Sequence, residues 1–464
     1  RLPPRSTLFP YTTLFRSGLL AHEKRESAWK LASSVANLLL ITLTLISALA
    51  AVFAPVIVRH GLFVLAPDLS AGQEALTIQL LRIMLPTVVL FGISGLVMGV
   101  LNAHQIFWIP ALAPAMYSIG IIIGVLVLPA SWGINRLAWG TVIGAGLHMA
   151  VQLPRLARLH GSYTRTLGLK MAEVREVARL MGPRIFGVAI VQINFIVNTI
   201  IALSLLEGSA SAISLAFALM LMPQAAIAQS LAIAAMPTFS AQAALGKLDE
   251  LRSSLAGALR GALLLALPAA VGLILLREPL IQFLYERGEF TSRSTEMVAW
   301  ALLWYAAGLP AHSVVEIVSR AFYALHNTRT PVLIGAAAMS LNLAFSFLFS
   351  AWFERIGWMP HGGLALANVL ATTLEMLILL LLMRRRLNGL ETRLIGGSML
   401  RSCLSAGGMA AMLVIWLRYT PALPTWLTAL GGIAIGGFVY ILLLLLLREP
   451  QAGRLASAIR RRIS

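Results

Sequence analysis

Three ionisable side chains, His312, Glu316 and Arg320, stand at i, i+4 and i+8, so a helix there would carry all three on one face. In that register they could form a proton or ion relay. The alternative is a Glu–Arg salt bridge that fixes the helix, and pairing alone accounts for both residues. Glu375 is the other acid set deep in apolar sequence, one turn after Thr372. Asn194 and Asn198 share a helical face, while Gln192 lies about 200° away from Asn194 around the axis. Gln224, Gln229 and Ser230 form a second sparse polar row in the next apolar stretch. An unpaired amide in apolar surroundings costs several kcal/mol, so these groups either bond a neighbouring helix or line a wet cavity. Arg184, beside Gly182-Pro183, offers a guanidinium fork able to take a phosphate; snorkelling is the alternative for it and for Arg82.

Catalytic constellations are missing. There is no Walker loop, no Gly-x-Ser-x-Gly, and no cluster of His or Cys with metal-ligand spacing. Only two Asp occur, Asp68 and Asp249, too few and too far apart for a nucleotide-sugar site. Glu286 and Glu289 fall on a loop without an evident partner. A single cysteine, Cys403, excludes an internal disulfide. The reading is therefore not an enzyme, with no cofactor and no metal centre.

Composition says where these residues sit. The 464 residues are 59% hydrophobic and only 12% charged, with a mean hydropathy of +0.85. A soluble domain carries about twice that charge fraction, so the chain is an all-α polytopic membrane protein. Its net charge of +18 would suggest nucleic acid in a soluble protein; here the basic residues belong to cytoplasmic loops, and no nucleic-acid partner is expected. Apolar segments of about 20 residues, the length that crosses a bilayer, are placed at 30–57, 76–101, 110–129, 136–154, 183–206, 212–237, 254–276, 297–323, 331–353, 362–383, 399–418 and 425–447. The even count puts both termini on one side. The connections on that side hold 23 Lys and Arg against 7 on the other, which makes it the cytoplasmic face. Arg384 to Arg386 and Arg460 to Arg462 are its densest clusters.

The chain also repeats itself. Residues 31–38 (LASSVANL) match 251–258 (LRSSLAGA), 102–110 match 323–331, and 137–149 match 364–376, at offsets of 220 to 227. Residues 31–158 and 251–386 thus read as one four-helix unit used twice in the same orientation, and Glu375 occupies the repeat position of His148, which has Gln152 one turn on. Parallel repeats of this kind are a transporter architecture. The second copy is preceded by the polar-studded pair in 181–240. The first is preceded only by 18–30 and by residues 1–17, which resemble a translated sequencing adapter and are set aside from fold reasoning. The expected layout is a foreign tail (1–17), an N-lobe of four helices lacking two (18–158), a six-helix C-lobe (159–386), and two last helices with a basic tail (387–464).

Six plus six plus two helices with this repeat resembles the multidrug/oligosaccharidyl-lipid/polysaccharide exporter superfamily, with twelve of fourteen helices present. Three stretches resemble its MurJ (MviN) lipid II flippase family more closely: Leu284 to Thr291 (LYERGEFT), Ser319 to Pro331 (SRAFYALHNTRTP), and Met222-Pro-Gln with Met236-Pro-Thr-Phe-Ser240. The resemblance implies alternating-access movement of undecaprenyl-pyrophosphate-linked peptidoglycan precursor to the outer leaflet of the bacterial inner membrane, with the polyprenyl tail along 399–418 and 425–447. It implies a polyprenyl-pyrophosphate glycan and membrane lipids as partners, with cell-wall synthesis proteins beside them. Arg184, Gln192, Asn194, Asn198, Gln224 and Gln229 would then face the headgroup, and Glu316, Arg320, Asn342, Thr372 and Glu375 would serve coupling. Ala218 stands where the family's eighth helix carries a phosphate-binding arginine. For the family's sodium site this chain offers Asn194 or Asn198, then Asn342 and Thr372, and no acid. Export of another lipid-linked oligosaccharide, drug antiport, and a non-transporting scaffold for wall synthesis are the other readings.

Overall fold

The computed structural model describes residues 25–62, 71–104, 106, 108–420 and 423–451. Helices make up its regular structure, and no strand occurs among the described residues. In a bilayer every backbone donor and acceptor needs an internal partner, and a helix supplies them within one segment. The main helices are α1 (Arg25–Val52), α2 (Ala71–Met84), α3 (Pro86–Ala103), α4 (Trp108–Val127), α5 (Asn135–Ala150), α6 (Ala172–Leu203), α7 (Ser209–Gln224) and α8 (Ser230–Ala244). They continue as α9 (Leu248–Leu275), α10 (Arg277–Tyr285), α11 (Ser292–Ala307), α12 (Leu309–Ala324), α13 (Arg329–Arg355), α14 (His361–Arg386), α15 (Thr392–Tyr419) and α16 (Thr425–Leu446).

Among the described residues, nine helices are long and apolar enough to cross a membrane, and α11 with α12, bent by 46°, makes a tenth. The expected count of twelve is therefore not reproduced. The 136–154 segment forms a helix of 16 residues, and the apolar described part of α6 runs only from Gln192 to Leu203. Pro223 and Pro237 do not break their span. Pro223 lies two residues before a π-helical turn, Ala225–Gln229, and Pro237 sits inside α8. The turn between α6 and α7 depends on Gly208, whose φ of 89° few other residues adopt.

The chain divides into two compact units, Arg1–Phe186 and Gly187–Ser464, with the division inside α6. In the first unit α4 and α5 approach so closely that a methyl on Gly120 would overlap the Gly144 backbone, and one on Gly124 the Gly140 backbone. Small residues permit such contact, which replaces the hydrophobic driving force that lipid cannot supply. Ser94, His148 and Gln152 form a buried network here, with Ser94 Oγ 2.7 Å from His148 Nδ1 and Gln152 Nε2 donating to Ser94 Oγ at 2.8 Å. That is the packing role of His148 and Gln152.

The second unit is organised around α9. Leu251, Leu255 and Leu259 pack with Phe239 of α8, Phe322 of α12 and Met383 of α14. Ala266 and Ala270 pack with Met220 of α7 and Leu302 of α11. Leu264 and the following Leu276 pack with Met409 and Leu413 of α15 and Tyr440 of α16, whose hydroxyl donates to the Leu264 carbonyl at 2.6 Å.

A polar clasp closes the end of this last cluster. Glu449 is buried; its Oε1 accepts from Ser398 at 2.7 Å and Arg260 at 3.4 Å, and its Oε2 from Arg401 at 2.8 Å. Burial pushes the Glu449 carboxyl up, but the bonds from Ser398, Arg401 and Arg260 outweigh it and hold the group below its ordinary value. A lowered carboxyl contributes stability above its unfolded value, about 4.3, and loses it as pH falls through the folded value. Glu449→Gln should cost about 2 kcal/mol at pH 7, as expected for bonds to a charged group. In thermal melts of purified protein the gap to wild type should close as pH is lowered toward 3.

Candidate functional site

The second unit holds two features with the shape of a site, one apolar and one polar. The apolar one is a groove of about 690 Å³ beside α16. Its walls are Leu219 and Met222 of α7, Leu265 and Leu273 of α9, Leu280 of α10, and Ile433, Ile441 and Leu445 of α16. Gly437 also lines it, and a side chain added there would meet no atom within 4 Å. Leucines at helical spacing on three elements leave nothing to hydrogen-bond, so the groove suits a long aliphatic chain, each buried methylene worth about 0.8 kcal/mol.

The polar feature joins α6 to α13. Asn194 Nδ2 donates to the Met339 carbonyl at 2.7 Å. Asn198 Nδ2 donates to Asn194 Oδ1 at 3.0 Å and lies 3.4 Å from Asn342 Oδ1. The Ser346 hydroxyl reaches Asn198 Oδ1 at 2.7 Å and Asn342 Oδ1 at 3.0 Å. Asn194, Asn342 and Ser346 are buried, and the three asparagines line a cavity of about 200 Å³ with Asn368 and Tyr305. Interhelical bonding and cavity lining, the two roles the sequence leaves open for these amides, are both present. Thr372 is buried on α14 but is not part of this lining; Asn368, one turn earlier, is.

The family resemblance implies sodium here, and the donor set does not fit it. Each side-chain oxygen of Asn194, Asn198 and Asn342 already has a neighbouring amide or hydroxyl donor, and among the described residues no carboxylate lines the cavity. A hard cation prefers charged or otherwise uncommitted oxygens.

The His312–Glu316–Arg320 row is only partly joined. Arg320 pairs with Glu316, Nη2 to Oε1 at 2.8 Å, with about a quarter of each side chain exposed. His312 turns instead to Asn368 Oδ1, 3.2 Å away, so the three do not form a continuous relay. Glu375 is half-buried with its Oε1 against Gly335 of α13, and it makes no ion pair among the described residues. Gln224 is buried with Oε1 unpartnered, whereas Gln192 and Gln229 are exposed. Arg184 lies on α6, but its side chain falls outside the described residues, as does all of Asp68. Arg82 donates to the Ala51 carbonyl at 3.0 Å. Glu286, without an evident partner in the sequence, accepts from Ser292 at 2.9 Å and Thr295 at 2.7 Å and so anchors the start of α11.

Asn368, Ser346 and the Glu449 clasp escape the sequence reading. Asn368 and Ser346 had a signal, each being a polar residue one turn from a noted one. Glu449 had none: it sits in a basic tail, and its partner Arg260 is 189 residues away.

The family profile described as Lipid II flippase MurJ matches residues 15–429. The probable lipid II flippase MurJ of Bdellovibrio bacteriovorus is 30% identical over 84% of this chain and 73% of its own length. The lipid II flippase MurJ of Burkholderia cenocepacia is 30% identical over 70% of this chain, which spans only 63% of that relative. Among solved structures, a lipid II flippase MurJ in an inward closed conformation aligns with a TM-score of 0.76 at 24% identity, covering 95% of this chain and 90% of that one. An inward-facing multidrug resistance transporter of the MOP superfamily aligns with a TM-score of 0.68 at 14% identity, covering 82% and 86%. These two likenesses concern the fold; the profile and the two curated relatives establish that the chain belongs to the MurJ family of lipid II flippases.

Proposed function

We propose that this protein moves an undecaprenyl-pyrophosphate-linked peptidoglycan precursor, lipid II, from the inner to the outer leaflet of the bacterial cytoplasmic membrane by alternating access. The observation that carries this reading is the apolar groove beside α16, which has the chemistry of a polyprenyl-chain site in a chain of this family. The headgroup would meet the polar wall of α6 to α8, where Gln224 keeps a buried acceptor unpartnered and Gln192 and Gln229 stay exposed. Arg184 would offer a phosphate contact. The layout proposed with it is an N-lobe in 18–158, a C-lobe in 159–386 and two further helices, both termini cytoplasmic, with wall-synthesis proteins as neighbours. The role is transport rather than catalysis. For coupling, Glu375 is the favoured group, since it alone of the two acids inside the spans has no ion pair among the described residues.

Proteoliposomes carrying a fluorescent lipid-linked disaccharide-peptide test the reading. Protein-dependent access of an external quencher to the inner-leaflet label is the expected result. Equal rates with and without protein, for a sample that still binds the lipid, would overturn transport by this chain.

A further inference from the structure

The first unit holds a titratable group that the proposed function leaves unused. His148, in the last turn of α5, is buried against α3 together with Ser94 and Gln152. The Ser94 hydroxyl has two acceptors within reach, His148 Nδ1 at 2.7 Å and the His148 carbonyl at 3.4 Å. Gln152 Nε2 donates to Ser94 Oγ at 2.8 Å and to the same carbonyl at 3.0 Å.

These distances close the network in both protonation states of the imidazole. A neutral ring with its hydrogen on Nε2 accepts at Nδ1 from the Ser94 hydroxyl. A proton added at Nδ1 reverses that bond: the new N–H donates to Ser94 Oγ, and the hydroxyl hydrogen turns to the His148 carbonyl. The hydroxyl oxygen has two lone pairs, so Gln152 goes on donating to it throughout. Only hydrogens change place. A bond from a charged donor is about twice as strong as a neutral one, which offsets part of the cost of a buried charge.

The surroundings leave the ring to this network. On the elements packed against α5, the one acid is Glu74 of α2, and Arg59 holds it. Arg82 of α2 donates to the Ala51 carbonyl, His104 of α3 lies against the Val100 carbonyl, and Tyr117 of α4 stacks on Phe91. Arg136 at the far end of α5 donates to the Val125 carbonyl, and Arg155 lies two turns beyond His148. Among the described residues no charge acts on the imidazole. The repeat adds a second observation, since His148 and Glu375 stand at the same position of the two copies.

We infer that His148 is a proton-binding site of the first unit, built from Ser94 and Gln152, and the counterpart of Glu375 in the second. Each copy of the repeat then carries one titratable group at one place. A proton taken up at His148 puts a charge inside the unit and favours the state in which that charge meets water. The coupling part of this inference rests on the transport reading; the proton site does not.

Nitrogen NMR of the full chain in micelles, labelled at its eight histidines, follows the site directly, and the signal absent from His148→Gln identifies it. The wild-type ring should titrate between about pH 5 and 8, with Nδ1 unprotonated above the midpoint. Ser94→Ala takes the acceptor from the imidazolium and should lower the midpoint by about one pH unit. A ring that stays neutral down to pH 5, an Nδ1 protonated throughout, or a midpoint indifferent to Ser94→Ala would each sink the proton site. In proteoliposomes, His148→Gln should flatten the dependence of transport on an imposed pH gradient, and an unchanged dependence would remove the coupling role. Titration as expected in a protein that moves no lipid would count against the transport reading alone.

Discussion

Gly437→Phe should abolish retention of a polyprenyl lipid while leaving the protein folded. Gly437 lines the groove, and a side chain built on it meets nothing within 4 Å, so the ring has somewhere to go. The space it enters is the channel itself, between Leu265 and Leu273 of α9 and Ile433 and Ile441 of α16. No backbone strain accompanies the change, because the position is helical and outside the positive-φ set. A ring there denies the chain contact with several methylenes. Losing three at about 0.8 kcal/mol each removes about 2.4 kcal/mol, or about fiftyfold in affinity. Binding of undecaprenyl phosphate to purified wild type and variant, read by intrinsic tryptophan quenching or native mass spectrometry, provides the comparison. Gly436→Phe is the matched control: a side chain there meets Leu413 and Met409, and the cost should appear as a lower melting temperature. Unchanged binding in a well-folded Gly437→Phe protein would remove the groove from the proposed function.

The groove was only half legible in the sequence. Leucines and isoleucines of α16 read as a membrane span, and a span is apolar all round, so periodicity does not say which side faces lipid and which lines a channel. The repeat carried more information. Matching strings at 102–110 and 323–331 place the same helix ends in both copies, and the structure puts a helix boundary just before Pro86 in one and just before Leu309-Pro310 in the other. The asparagines were legible as a cluster because two of them share one face of α6. Their partner Ser346 was not, since a serine in an apolar helix commonly bonds its own preceding turn. His312 shows the limit of spacing arguments. It shares a face with Glu316, yet its ring lies 3.2 Å from Asn368 Oδ1 on α14, while the Glu316 carboxylate is already taken by Arg320.

That pair gives a second large effect, and an asymmetric one. Glu316→Leu leaves Arg320 without its carboxylate inside a span, and a guanidinium does not shed its proton. Arg320→Leu leaves a carboxylic acid, the kind of group that apolar surroundings can accommodate without charge. Breaking a buried pair from the arginine-stranding side costs about 3 kcal/mol, the lower end for such pairs, because a quarter of each side chain is exposed. The opposite variant should lose less than half of that. The double variant, with two leucines at i and i+4 in place of the ion pair, should recover most of the loss. Unfolding in mixed micelles, followed as a double-mutant cycle, reads all three. If the pair serves only to hold α12, the double variant should also bind and move substrate at close to the wild-type rate per folded molecule. A double variant that regains stability but not transport would instead make Glu316 or Arg320 part of the moving machinery. Stability alone separates the two roles poorly, since either would make the single variants weak; the restored double variant is where a structural and a coupling role part company.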